Sequence, residues 1–177
     1  MKLIDAAERV FIRRPRLADA DEFLRGVAQS RSLHRPWVYP GTSSLQFETY
    51  LRRQRTDRHH GFFICEQGTR ALVGVANLNE VVRGDFQSAY LGYYAFDPYV
   101  GNGYMHEGVG LVLRQAFTSV GLHRVEVNIQ PENRRSIALA RRLGFVHEGS
   151  ARRYLKVGGR WRDHDRWALL VEGWRAR

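Results

Sequence analysis

A chain of 177 residues with 44% hydrophobic and 26% charged residues has the mix of an ordinary globular domain, which excludes wholesale disorder, collagen and a long coiled coil. That length predicts a single domain over residues 1–177. No apolar run approaches the roughly 18–20 residues that cross a bilayer, and residues 1–10 carry Asp5 and Glu8 with no signal-like stretch, so a cytoplasmic protein with no membrane partner is expected. The net charge of +10 comes from 26 Arg and 2 Lys against 18 acids. It favours encounter with polyanions, although no basic block with interleaved aromatics marks a dedicated nucleic-acid motif. The single Cys65 lies in an apolar stretch and reads as a buried small hydrophobe.

Residues 9–14 are a short stretch rich in apolar and β-branched residues and precede Pro15, which predicts a first strand. Asp19 suits the N-cap of a helix that buries Phe23, Leu24 and Val27. Residues 33–41 combine two prolines with Trp37 and Tyr39 and form a stiff aromatic loop. Ser43 and Gln46 make a capping box for a helix to about residue 56, with Leu45, Phe47 and Leu51 on its apolar side. Strands follow at 61–66, 71–82 and 87–96, joined by short turns as an antiparallel meander. A Pro/Gly-rich loop at 97–103 leads into a helix at 104–120, with Val109, Val112, Leu113 and Phe117 at helical spacing. A strand at 124–129, a helix at 133–143 closed by Gly144, and strands at 145–157 and 161–171 complete the chain. This order predicts an α/β (α+β) domain with a mixed, mostly antiparallel central sheet and helices on both faces.

The most informative segment is Val100-Gly101-Asn102-Gly103-Tyr104-Met105, between a strand and a helix. Its glycines let successive N–H groups converge, and the helix start adds partial positive charge; together they suit a pyrophosphate. No Gly-Lys-Ser/Thr follows, and Tyr104-Met105-His106 replaces the third glycine of a dinucleotide fingerprint. About thirty residues downstream stands Asn133-Arg134-Arg135-Ser136, leading to Leu143-Gly144-Phe145 and Glu148-Gly149. The pair resembles the GNAT superfamily of acetyl-CoA-dependent N-acetyltransferases. Gly74-Val75-Ala76-Asn77, Val81-Val82-Arg83-Gly84, Tyr90-Leu91-Gly92-Tyr93 and Trp161-Arg162-Asp163-His164 narrow the resemblance to the ribosomal-protein-alanine branch, over roughly residues 10–170.

The resemblance implies acetyl-CoA as co-substrate, a splayed cofactor cleft, and direct ternary-complex transfer to the α-amine of a protein N-terminus. The acceptor would be a ribosomal protein of the S5-alanine type, with nucleic acid met only indirectly through ribosomal particles, and the enzyme a monomer or homodimer. Val100, Gly101, Asn102, Gly103, Tyr104 and Met105 would hold the pyrophosphate; Tyr94, Ala95 and Phe96, with Asn133 and Ser136, would flank the pantetheine arm. Two other readings stay open: acetylation of a small amine (aminoglycoside, polyamine or amino acid), and a noncatalytic RNA- or ribosome-binding module that binds acetyl-CoA. The loop departs from the superfamily pattern at Val100, often Gln or Arg, and at Met105, often small; Ala140 stands where many relatives carry a tyrosine acid. Ser136 is the substitute acid for the departing thiolate.

The chemistry asks for a base within about 2.6–3.2 Å of the amine proton or one water away. Glu126 alternates with Val125 and Val127 and is the first candidate. Glu80 and Asp163 are weaker, the latter expected to brace the final hairpin, and His106 and Glu107 read as a solvated first helical turn. A backbone N–H near Tyr94–Phe96 would serve the oxyanion if the strand bulges there. Trp37, Tyr39, Tyr93 and Tyr154 are candidates for a slot that takes the peptide end, with Arg83 in a nearby turn. No His/Cys/Asp/Glu set has metal-ligand spacing.

Overall fold

Phe62-Phe63-Ile64-Cys65 is apolar without alternation because its strand is covered on both faces. Phe62 and Ile64 join one buried cluster and Phe63 and Cys65 the other, on opposite sides of one sheet. The structure, a computed structural model, describes residues 3–176. Its strands are β1 (Leu3–Ala6), β2 (Val10–Arg13), β3 (His60–Glu66), β4 (Leu72–Val82), β5 (Ser88–Ala95), β6 (Arg124–Ile129), β7 (Val146–Val157) and β8 (Arg160–Leu170). They form one sheet in the order β1-β2-β3-β4-β5-β6-β8-β7. Every neighbouring pair is antiparallel except β5 with β6.

Helices α1 (Ala20–Gln29) and α3 (Ser44–Arg53) place Phe23, Val27, Phe47 and Leu51 on one face against Phe11, Phe63 and Val75; the short α2 (Arg31–His34) lies between them in sequence. On the other face α4 (Tyr104–Thr118) buries Val109, Val112 and Leu113 against Ile64 and Leu78, and α5 (Arg134–Arg142) adds Leu139 and Ala140. A last short helix, α6 (Val171–Arg175), follows β8. Cys65 is fully buried, and burial pushes its thiol up to about 11.

Several local expectations shift. Leu45 is 70% exposed, so the apolar side of α3 begins at Phe47. Ser43 Oγ accepts from Gln46 N at 3.3 Å, but Gln46 reaches back to Thr42 N (2.7 Å) and not to Ser43. Asp19 precedes α1 without capping it; its carboxylate accepts from Arg16 N (2.7 Å) and from the buried Arg13 (2.6 Å). Strand β1 and helix α6 are too short for periodicity to register.

The feature that positions the site is the meeting of β5 and β6. They pair only at Ser88–Arg124, Ala89–Val125 and Tyr90–Glu126, and then diverge. Phe96 N donates to Val73 O on the β4 side, so by alternation the amides and carbonyls of Leu91, Tyr93 and Ala95 face the opened edge. The β4–β5 ladder is continuous from Gly74–Ala95 to Asn79–Tyr90; its irregularity falls next to Asn79, where Glu80 has φ 50°. The bulge expected at Tyr94–Phe96 is therefore absent, and divergence of the strands exposes the edge instead.

Candidate functional site

Between the opened edge of β5 and the wall formed by β6 and α5 lies a cleft of ≈ 1730 Å³, with the glycine loop lining part of it. This exceeds the roughly 300–1,000 Å³ of a usual small-ligand pocket, so a long ligand and a second molecule can enter together. In the loop, Gly101 (φ 89°) and Gly103 (φ 81°) are left-handed, and Gly103 is the N-cap of α4. The amides of Gly103, Tyr104 and Met105 donate to no acceptor among the described residues; the first bonds of the helix run from His106 N (3.0 Å) and Glu107 N (3.3 Å) to Gly103 O. A ring of free N–H groups at a helix start suits a pyrophosphate, so the residues present fit the acetyl-CoA co-substrate.

Arg9 ties this loop down. Its Nη1 donates to Asn102 O (2.9 Å), its Nε to Glu107 Oε1 (2.5 Å) and its backbone N to Glu107 Oε2 (3.1 Å), and its guanidinium sits 5.5 Å from the Tyr104 ring centre. Glu107 is thus a loop anchor and not a solvated first turn. Asn102 gives its carbonyl to Arg9 and does not line the cleft, whereas Val100, Gly101, Gly103, Tyr104, Met105 and His106 do. The bulk of Met105 is accommodated because its sulfur packs where Gly74 has no side chain.

On α5, Asn133 Oδ1 accepts from Ser136 N at 3.2 Å as the N-cap, and the Tyr93 hydroxyl donates to Ser136 O at 3.0 Å. Burial pushes the Tyr93 hydroxyl up to about 12, so it stays a donor. Ser136 is held from both sides while its own hydroxyl, in the cleft lining, has no partner among the described residues. Tyr94 and Ala95 line the cleft; Phe96 does not, being 1% exposed and packed edge-on to Phe23 and His34. His34 donates from Nε2 to Ala95 O at 2.8 Å, and burial lowers the pKa of its imidazole.

At the acceptor end, Trp37, Tyr39, Tyr93 and Tyr154 all line the cleft. A Cβ on Gly158 would lie 2.5 Å from the Tyr39 ring, so the aromatic loop rests against the β7–β8 turn and roofs this end. The Tyr154 hydroxyl bonds that of Tyr90, which, with burial, raises Tyr90 to about 12.

Besides Asn102 and Phe96, two further expected site residues lie outside the cleft lining. Arg83 Nη1 donates to Val120 O at 2.7 Å and steadies the chain after α4, outside the cleft. Glu126 is 8% exposed and accepts from Arg124 Nε at 2.8 Å, while Arg124 also grips Glu148. It stands opposite Tyr90 on the last closed rung of the β5–β6 ladder, and the cleft wall on β6 starts one residue later, at Val127. Glu80 pairs with Arg58 and Arg53 and does not itself line the cleft. Asp163 accepts from Arg153 N at 2.7 Å and braces the β7–β8 hairpin. Sequence reasoning gave no role to His34, Asn128 or His164, which also line the cleft; only packing across the sheet brings them there.

The family described as Acetyltransferase (GNAT) domain matches residues 9–146. The ribosomal protein uS5-alanine N-acetyltransferase of Escherichia coli (strain K12) is 32% identical, over 94% of this chain and 90% of its own length. Mycobacterium smegmatis RimJ in complex with CoA-disulfide superposes with a TM-score of 0.84 at 29% identity, over 92% of this chain and 82% of that one. A more distant relative, the spermidine N(1)-acetyltransferase of Vibrio cholerae, is 24% identical over 84% of this chain and 86% of its own. Among the described residues no group of His, Cys, Asp and Glu could hold a metal ion, and no helix is long and apolar enough to cross a membrane. The match over most of the chain, with the opened sheet edge and the amide cradle beside it, places this protein in the GNAT acetyltransferase family, N-acetyltransferases that draw their acetyl group from acetyl-CoA.

Proposed function

We propose that this enzyme acetylates the N-terminal α-amine of a protein, with a ribosomal protein of the uS5-alanine type as acceptor. The observation that carries this reading is the 32% identity to the E. coli uS5-alanine enzyme across nearly the whole of both chains. The cleft supports it. Its acceptor end is aromatic, and Asp97 and Glu132 are the only carboxylates among its lining residues. A polyamine or aminoglycoside brings several positive charges that call for several carboxylates, whereas a peptide end brings one amine and an uncharged backbone. The net charge of +10 would speed encounter with ribosomal particles.

In this reading the amides of Gly103, Tyr104 and Met105, with Val100 and Gly101 shaping the turn, hold the pyrophosphate. The end of β5 at Tyr94 and Ala95, with Ala95 on the opened edge, holds the pantetheine arm, and α5 closes over it with Asn133 and Ser136. Acetyl-CoA supplies a thioester. The protein's part is to orient it, to offer the edge amides of Tyr93 and Ala95 to the carbonyl oxygen, and to offer the Ser136 hydroxyl to the leaving sulfur. Trp37, Tyr39 and Tyr154 exclude water around the incoming peptide end.

The test is incubation with acetyl-CoA and unacetylated small-subunit ribosomal proteins, read by intact-mass and peptide mass spectrometry. One acetyl group on one protein N-terminus is the expected result. Transfer to spermidine or an aminoglycoside, with none to protein, would overturn the acceptor and leave the family standing.

A further inference from the structure

Glu126 is committed to Arg124, so the proton of the acceptor amine needs another destination. Three histidines line the cleft, His34, His106 and His164. They differ in what their ring nitrogens do. His34 donates from Nε2 to Ala95 O, and its other nitrogen, Nδ1, is sealed from solvent without a partner, out of reach of an incoming amine. His106 sits in the first turn of α4, at the phosphate end of the cleft.

His164 is 3% exposed and belongs to β8, in register with Ala151 of β7 and one residue beyond the Ile129–Asp165 pair. That register sets it beside Gln130, where β6 ends and the chain turns into the helix that carries Ser136. Its Nδ1 lies 3.0 Å from Arg162 O. A carbonyl can only accept, so the proton sits on Nδ1 and the lone pair on Nε2. Nε2 makes no hydrogen bond among the described residues, yet it is not among the sealed unpartnered atoms, and the Tyr154 ring stands 6.3 Å from the imidazole.

We propose that His164 Nε2 is the general base of the transfer. This rests on N-acetyl transfer in the cleft and not on which amine is acetylated. As the nitrogen–carbon bond forms and the carbon–sulfur bond breaks, the proton shed by the amine passes to His164 Nε2 and from there to water. The departing sulfur accepts a hydrogen bond from Ser136 Oγ and takes its proton from solvent, so charge and protons balance. Burial lowers the pKa of the His164 imidazole, against Asp163 and Asp165 on its own strand, which raise it. Of the other groups nearby, Tyr154 comes from β7 and uncharged Gln130 from the end of β6, whereas the Glu132 carboxylate, in the turn before α5, would favour the charged ring. Asp163 is engaged by Arg153 N, and Asp165 by Ser150 Oγ at 2.5 Å. The ring is neutral at pH 7 and able to accept a proton.

The test compares wild type with His164→Gln and His164→Ala, using small-subunit ribosomal proteins and, in parallel, spermidine as acceptors. His164→Gln should lower kcat by about 100-fold, leave acetyl-CoA affinity unchanged, and remove the acidic limb that this base would give the wild-type pH profile of kcat. Added imidazole should restore part of the rate of His164→Ala and none of that of His164→Gln. A kcat within about threefold of wild type, or an acidic limb that persists in both variants, would overturn the assignment. Long-range proton–nitrogen NMR of the wild-type protein without acceptor gives an independent arm. A neutral ring protonated on Nδ1 at pH 7 is expected, and a proton on Nε2 would refute the base whichever amine is used. If wild type acetylates neither acceptor, the acceptor assignment falls, and the NMR result still decides His164.

Discussion

Gly101 and Gly103 share a left-handed backbone, φ 89° and 81°, in different surroundings. A Cβ on Gly101 would meet nothing within 4 Å, whereas one on Gly103 would lie 2.9 Å from Arg9 Nη2. Replacing either by alanine costs roughly 1–2 kcal/mol for the left-handed conformation. Gly103→Ala must in addition push the guanidinium aside and lose its bond to Asn102 O. With the Arg9 side chain 48% exposed, that bond contributes only ~0.5–1 kcal/mol. Gly103→Ala should therefore be less stable than Gly101→Ala by this smaller amount, and the gap should vanish when both are made in an Arg9→Met background. Urea unfolding of the six proteins at fixed salt measures it, and calorimetric titration with CoA shows whether loop and ligand affinity move together. Equal losses at the two glycines, or a gap that persists without Arg9, would refute the idea that Arg9 holds the loop.

Ser136→Ala should lower kcat by about 100-fold with little change in acetyl-CoA affinity; equal losses in both would make the serine a binding residue and not the donor to sulfur. Arg83→Ala should leave kcat and the acceptor KM unchanged and lower stability by ~0.5 kcal/mol through the lost bond to Val120, and a raised KM would return Arg83 to the acceptor site. Burial holds His34 and His164 below 6.5 in the folded protein, so the unfolded chain takes up these protons first. Stability from this source is complete above pH 6.5 and falls as pH drops below it, by at most about 1.4 kcal/mol per pH unit per histidine. Urea midpoints at descending pH should show His34→Gln with a shallower decline than wild type, and an unchanged slope would contradict the burial argument.

The elements that position the cleft were legible because their signals are strong and local. The run at 62–65 is apolar throughout since both its faces are covered, and β6 reads from Arg124 to Ile129 because Val125, Val127 and Ile129 alternate into the core. The helix with Ser136 was marked by Asn133, whose side chain does cap it. The glycine loop was visible from its place between a strand and a helix. What escaped depends on where two strands part company. Alternation sets Glu126 apart from its valines, but only the ladder shows that its rung is still closed and that Arg124 claims the carboxylate. Arg83 belongs to the turn after β4, and nothing local says that its reach is to Val120. His164 was quoted in a motif without a role, since the pairing that sets it beside Gln130 joins residues more than thirty positions apart.

The parting of β5 and β6 also sets a limit on how stable this fold can become while it remains an enzyme. One more rung, at Leu91 and Val127, would satisfy backbone groups that now look into the cleft and would stiffen the join between the two portions of the sheet. The same rung would begin to cover the edge on which Tyr93 and Ala95 stand, and with it the surface that receives the thioester. Selection for thermostability should therefore find its gains in α1, α3 or the strands far from the divide, and a variant that zips the two strands together should melt higher while losing its affinity for acetyl-CoA.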